Sequence, residues 1–238
     1  MGSCGPGGLG PPSEVDLSIT VALLDAYRQG AFPMASLAPG SEEDGQVRFY
    51  RPDPRAILPM DGLRISRSLR QRLRSGRFTL RSDTAVEAVI RACAEPRPGP
   101  WLSDQLIQLY LALARCGHVH TVEAWLDGPG ADRLVGGLYG VTLGGLFAGE
   151  SMFSRPRQGG TDASKVCLAA LTRHLRLRGF VLHDIQILNP HLEQLGAIEI
   201  AGDEYLSRLE DAASLNVHWG EFDPAAAAAE AGILPYRP

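Results

Sequence analysis

Gly144-Gly145-Leu146-Phe147-Ala148-Gly149-Glu150-Ser151-Met152-Phe153-Ser154-Arg155 and, further on, Phe180-Val181-Leu182-His183-Asp184-Ile185-Gln186-Ile187-Leu188 both read as strands. Each sets charged or amide side chains inside an apolar run, where an ionised group is costly to bury without a partner or a task. Side chains alternate along a strand, so Asp184 and Gln186 fall on one face. Their flanks Val181, Leu182, Ile185, Ile187 and Leu188 are apolar on both faces, which marks an interior strand. A carboxylate and an amide are thus expected to project side by side from a dry wall. The competing reading is a structural Asp satisfied by backbone amides.

Between the two strands, Thr161-Asp162-Ala163-Ser164-Lys165-Val166 opens a helix that continues through Leu168, Leu171 and Leu175, with Asp162 or Ser164 as its cap. Upstream, helices are predicted near 21–29, 65–75, 84–94 and 103–116. Strands are predicted over 118–126, 133–142 and 145–153, with a turn at Asp127-Gly128-Pro129-Gly130. A last helix follows near 203–209. Antiparallel strands, a crossover helix and a further strand make an α+β order. Punctuation divides the chain into a mobile leader over 1–18, a small N-terminal lobe over 19–62, a larger lobe over 63–214 and an appended tail over 215–238. The lobe boundary follows loop signals at 39–45 and in Arg51-Pro52-Asp53-Pro54-Arg55, and the tail carries an Ala run at 225–229 without legible chemistry.

At 238 residues with 45% apolar content, the chain can bury a sizeable core. No apolar run approaches the roughly 20 residues of a membrane span, and the Gly/Pro-rich start lacks the order of a signal peptide. A cytoplasmic protein without a membrane partner is expected. Cys4, Cys93, Cys116 and Cys167 form no CxxC pair, which argues against a disulfide framework or a zinc site. Cys116-x-His118-x-His120 looks like a ligand cluster, but no local residue completes a four-ligand set, and no metal is expected.

The net charge of −4 hides a polarity. From Arg48 to Arg81 ten Arg face two Asp, a balance of +8, whereas from Asp203 onward seven acids face two Arg. Ile65, Leu69 and Leu73 recur as a buried helix stripe and leave Arg67, Arg70 and Arg74 on another face. That face suits a phosphate backbone, although a solvated helix face reads equally simply. Of 23 basic residues only Lys165 is a lysine, a compact charge with rotatable donors where the composition otherwise favours the planar Arg fork. Trp101 follows the loop Pro96-Arg97-Pro98-Gly99-Pro100 and is either a base-stacking ring or a core Trp.

In order along the chain, Gly30-Ala31-Phe32-Pro33, Pro52-Asp53-Pro54-Arg55, Ile65-Ser66-Arg67-Ser68, the Trp101 helix and Gly117-His118-Val119-His120 are joined by Leu134-Val135-Gly136-Gly137-Leu138-Tyr139-Gly140-Val141. Gly149-Glu150-Ser151-Met152-Phe153-Ser154-Arg155, Ala163-Ser164-Lys165, Asp184-x-Gln186 and Leu195-Gly196-Ala197 continue the series. In this joint order, over about residues 20–210, the chain resembles the bacterial leucyl/phenylalanyl-tRNA-protein transferases. The resemblance implies transfer of leucine or phenylalanine, with some tolerance of methionine, from aminoacyl-tRNA to proteins that begin with Arg or Lys, marking them for degradation. It implies a monomer whose larger lobe has the acetyltransferase-superfamily (GNAT-like) fold, a mixed sheet flanked by helices.

The resemblance also implies roles. Asp184 and Gln186 orient the incoming amine and help relay its proton, while Glu150 holds an amino group or the acceptor's basic side chain. Leu138, Phe147, Leu168 and Leu171 line the side-chain pocket, and Tyr50 and Trp101 stack the terminal adenosine. With tRNA as the partner, the charge and spacing of Arg67, Arg70 and Arg74 and the lone Lys165 are read as its contacts. The ester already carries the activation, so no cofactor, ATP or metal is expected. The chain departs from the common pattern with Phe49-Tyr50 in place of a Trp pair, with Leu171 where an aromatic is found, and with a longer stretch at 156–162. Two rival readings remain, an acyl-CoA N-acetyltransferase and a non-catalytic tRNA-binding protein. Against the first, Arg157-x-x-Gly160-x-Asp162 departs from a [QR]-x-x-G-x-[GA] loop by ending in an acid; against the second, such a protein gains nothing from Asp184 beside Gln186.

Overall fold

The apolar runs between residues 119 and 186 alternate with turns and one amphipathic helix, and they assemble the centre of a mixed sheet. The computed structural model describes residues 8–36, 46–95, 102–128 and 132–224. Trp101, Cys4, the loops at 39–45 and 96–100, most of the turn after Asp127 and the Ala run at 225–229 lie outside the described residues. The N-terminal elements are α1 (Glu14–Arg28), β1 (Phe32–Ala35), β2 (Val47–Tyr50), β3 (Arg55–Ile57), α2 (Arg67–Arg74), β4 (Thr79–Ser82), α3 (Val86–Cys93) and α4 (Asp104–Arg115). They are followed by β5 (Val119–Leu126), β6 (Arg133–Leu143), β7 (Leu146–Ser154), α5 (Ala163–Arg178), β8 (Leu182–Gln186), α6 (Pro190–Gln194), β9 (Ile198–Ile200) and α7 (Gly202–Ser214).

The main sheet has seven strands in the order β4-β5-β6-β7-β8-β3-β9. Strands β5, β6 and β7 form an antiparallel meander. Helix α5 then crosses over, and β8 runs parallel to β7, as parallel neighbours require. Both faces of β8 are buried, in keeping with its two-sided apolar sequence. Beneath one face lies a core built from α1, α3, α4 and α7 against Tyr139, Val141 and Leu146. Beneath the other lies a core of α2 and α5 against Val122, Leu138 and Phe147. Strands β1 and β2 pair with each other in a separate two-stranded sheet.

The structure departs from the sequence reading at several points. Helix α1 begins at Glu14, inside the expected leader, because Ser13 and Asp16 form a reciprocal capping box. Residues 55–57, placed in the small lobe with no strand expected, form β3 in the main sheet between β8 and β9; the strand is three residues long and follows two prolines, too short for any period to show. Neither Asp162 nor Ser164 caps α5 with its side chain. Asp162 takes a left-handed φ of 64°, and the Ser154 hydroxyl at the end of β7 accepts from the Ser164 amide at 2.9 Å. Part of the expected tail is core, since Trp219 is only 7% exposed.

Candidate active site

Pairing between β7 and β8 stops early. Its register runs Leu146↔Leu182, Phe147↔His183, Ala148↔Asp184 and no further. Beyond it the two strands part around a cavity of about 480 Å³. The opposite edge of β7 is irregular at the same level: Tyr139 faces Ser151 and Gly140 faces Gly149. Glu150 is therefore the extra residue of a β-bulge, a device that re-aims one side chain.

Glu150 opens onto the cavity while its carboxyl is enclosed by two tyrosines. Tyr27 of α1 donates to Oε1 at 2.7 Å, and Tyr110 of α4 donates to Oε2 at 2.7 Å. Burial pushes the carboxyl pKa up to about 7, although both phenol hydrogen bonds pull it down; the charge of Asp184 adds to the rise and that of Arg55 opposes it. Tyr27 and Tyr110 are held well above the ordinary phenol range, first by burial and then by the Glu150 charge, so both remain donors.

On the α5 side, Leu138, Phe147, Leu168 and Leu171 all line the cavity. Phe147 is seated against bare backbone, since a Cβ on Gly140 would stand 2.4 Å from its Cζ. His183 joins this wall edge-on to Phe147, with ring centroids 5.5 Å apart, and burial lowers its pKa to about 4. The opposite rim carries Phe32 and Met34 of β1. The N-terminal segment thus completes the cavity.

Asp184 and Gln186 do not project as equals from one wall. Asp184 is fully enclosed and lies behind the cavity. Its Oδ1 accepts from Arg55 Nε at 2.9 Å and its Oδ2 from Arg55 Nη2 at 2.7 Å, a bidentate pair exposed by 1% and 0% respectively. Tyr205 of α7 donates to Oδ2 at 2.8 Å. Burial works against the Arg55 charge, but the hydrogen bonds and attraction of Asp184 outweigh it and raise the guanidinium pKa. The same Oδ1 also accepts from the backbone amide of Gln186 at 2.9 Å, and Gln186 holds a left-handed φ of 59°. That bond fixes a conformation that a non-glycine residue rarely adopts. Gln186 itself lines the cavity, and its Nε2 has no hydrogen-bond partner among the described residues.

The remaining candidates lie further out. Tyr50 stands behind Phe32, with ring centroids 6.3 Å apart, and is not part of the cavity wall. Arg67 and Arg74 are exposed on α2 and Arg70 is half-buried. Lys165 is engaged by Asp162 Oδ1 at 2.9 Å. His118 contacts the Thr142 carbonyl and His120 pairs with Asp83, and among the described residues no group of three potential metal ligands converges. Sequence reasoning assigned no role to Arg55, Tyr27, Tyr110 or Tyr205. The available signal was a tyrosine on an otherwise apolar helix face, whose hydroxyl needs a buried acceptor.

The family model described as leucyl/phenylalanyl-tRNA protein transferase matches residues 57–210, and the model for that family's N-terminal domain matches residues 18–53. Proteins of the same name are close relatives. The Rubrobacter xylanophilus protein is 52% identical over 194 residues, 82% of this chain and 94% of the relative. The Chlorobaculum parvum protein is 49% identical over 193 residues, covering 80% and 93%, and that of Gloeobacter violaceus is 48% identical over 194 residues, covering 81% and 93%.

Proposed function

The chain belongs to the leucyl/phenylalanyl-tRNA protein transferase family, an enzyme family that passes an amino acid from its tRNA to a protein, and we propose that the transfer takes place in the cavity between β7 and β8. The observation that carries this reading is the meeting, in one cavity, of an apolar wall, the Glu150 carboxyl and an amide nitrogen without a partner among the described residues. The apolar wall of Leu138, Phe147, Leu168 and Leu171 receives the leucine or phenylalanine side chain. Such a wall separates methylenes by only about 1–3 kcal/mol, so methionine is tolerated.

With the donor side chain in that wall, its α-amino group falls toward Glu150, which holds it as an ammonium. The acceptor's N-terminal amine, with an ordinary pKa of about 7.7–8.0, is already partly neutral at pH 7. Its lone pair attacks the ester carbon, the C–N bond forms, the C–O bond to the ribose breaks, and the proton lost by nitrogen ends on the departing ribose oxygen. Gln186 orients the amine by accepting from its N–H with the side-chain amide oxygen, which leaves the lone pair free to attack. Asp184 acts one step back, by clamping the Gln186 backbone and neutralising Arg55. The activated ester supplies the driving force, and no cofactor enters this scheme.

We further take the acceptors to begin with Arg or Lys, the working unit to be a monomer, and the compartment to be the cytoplasm. The acceptor rests on the family resemblance. The monomer rests on the resemblance as well. The cytoplasm is where aminoacyl-tRNA is found; among the described residues no helix is long and apolar enough to cross a membrane. The parallel β7–β8 pair joined by α5 and parting around the cavity supports the acetyltransferase-superfamily reading of the larger lobe. Arg67, Arg70, Arg74 and Lys165 are assigned to tRNA, and Tyr50 with Trp101 to the terminal adenosine.

Incubation with labelled leucyl-tRNA and peptides starting with Arg, Lys or Ala tests the reading. Label should pass to the Arg and Lys peptides only, and acetyl-CoA should donate nothing. Acetyl transfer, or tRNA binding without transfer, would select one of the rival readings.

A further inference from the structure

We propose that Trp219, in the segment after α7, is a specificity-determining positioning residue that sets the depth of the side-chain pocket by holding Phe147 in place. The inference rests on the reading of Leu138, Phe147, Leu168 and Leu171 as that pocket. Trp219 lies beyond residues 57–210 covered by the family model.

The Phe147 ring has the cavity on one side and is fixed on the others. Gly140 backbone lies beneath it, His183 meets its edge, and the Trp219 ring stacks behind it at 5.7 Å between centroids and 27° between planes. Trp219 is itself held tightly. It stacks on His120 at 4.5 Å and 3°, meets His174 at 4.4 Å, and donates from Nε1 to Ser82 Oγ at 3.1 Å. His120 is in turn fixed by Asp83 at 2.7 Å. Arg178 of α5 donates to the His218 carbonyl at 3.2 Å and ties the segment to the helix that supplies Leu168 and Leu171.

Gly140 and His183 are backbone-bound parts of the sheet. Trp219 is the replaceable prop. A smaller residue there leaves a void directly behind Phe147, and a ring with a void on one side and a ligand on the other yields toward the void. The pocket then deepens and favours the longer phenylalanyl side chain over leucyl.

The test compares kcat/KM for phenylalanyl-tRNA and leucyl-tRNA in wild type, Trp219→Leu, Trp219→Phe and, as a control on the pocket itself, Leu171→Ala. Trp219→Leu should raise the phenylalanyl-to-leucyl ratio by about tenfold, the discrimination that one methylene carries in an apolar pocket. Trp219→Phe, a smaller aromatic prop, should shift the ratio in the same direction by a smaller factor, and it carries the test if the leucine variant does not fold. A purely structural Trp219 would lower both efficiencies alike, and an unchanged ratio in folded protein would overturn the proposal while a shifted Leu171→Ala ratio kept the pocket reading intact. A ratio that moved in none of the variants would remove the pocket reading, and the proposal with it.

Discussion

At the residue scale, Asp184 and Gln186 separate into two kinds of contribution. Asp184 belongs to a buried ion pair, and removing one partner of such a pair leaves a desolvated charge at a cost of about 3–5 kcal/mol. Asp184→Ala should therefore lower the denaturation midpoint sharply as well as slow transfer, whereas Gln186→Ala should slow transfer and leave the midpoint close to wild type; equal midpoints in urea titration would contradict the clamp. Glu150 gives a pH signature. Its folded pKa of about 7 lies above the ordinary 4.5, so between those values the folded state binds the extra proton, and stability falls as pH rises through that window. Glu150→Gln should remove that slope. It should also weaken leucyl donors above pH 7, where the wild-type carboxylate is charged and holds the ammonium. A wild-type slope retained in the variant would place the titration elsewhere.

At the scale of elements, the bulge in β7 and the bare backbone of Gly140 in β6 together shape the pocket. A Cβ on Gly140 would stand 2.4 Å from both Phe147 Cζ and the Ala148 carbonyl oxygen, and the carbonyl is part of the sheet ladder and has little room to yield. Gly140→Ala should cost about 1–3 kcal/mol, the usual penalty of overpacking, and should favour leucyl over phenylalanyl donors; a donor ratio equal to wild type would separate Gly140 from the pocket. The meander, the crossover helix and the buried β8 were legible because each carries a long run of period two or a full helical stripe. The four residues of the apolar cavity wall were singled out only through the resemblance to the family. The Asp184–Gln186 pair was half legible: the two-residue spacing showed, but the left-handed φ at Gln186 and the Arg55 partner 129 positions away did not. Strands β1, β2, β3 and β9 have only three or four residues each and present no period to read. Trp219 looked like tail because its contacts are all with distant strands and helices.

At the scale of the whole molecule, the proposed function gives charge and cavity separate tasks. The +8 segment from Arg48 to Arg81 includes α2, whose Arg67 and Arg74 are exposed. Replacing Arg67, Arg70 and Arg74 by Gln should raise KM for aminoacyl-tRNA and reduce its salt dependence, with little change for an aminoacyl-adenosine donor that lacks the tRNA body; an equal loss with both donors would move these residues out of the tRNA interface. The N-terminal elements are joined to the main sheet and its cavity by polar contacts as well as packing. Tyr27 of α1 grips Glu150, Phe32 and Met34 of β1 line the cavity, and Arg55 of β3 pairs with Asp184. The central claim is that bond formation occurs between β7 and β8 with Gln186 orienting the amine. The most direct measurement is the single-turnover rate of leucine transfer to an Arg-starting peptide by Gln186→Ala, at donor and acceptor concentrations that saturate both sites. The account predicts a fall of about a hundredfold, the loss expected when a reacting group is no longer held in place, with leucyl-tRNA binding unchanged. A wild-type rate in the folded variant would contradict it.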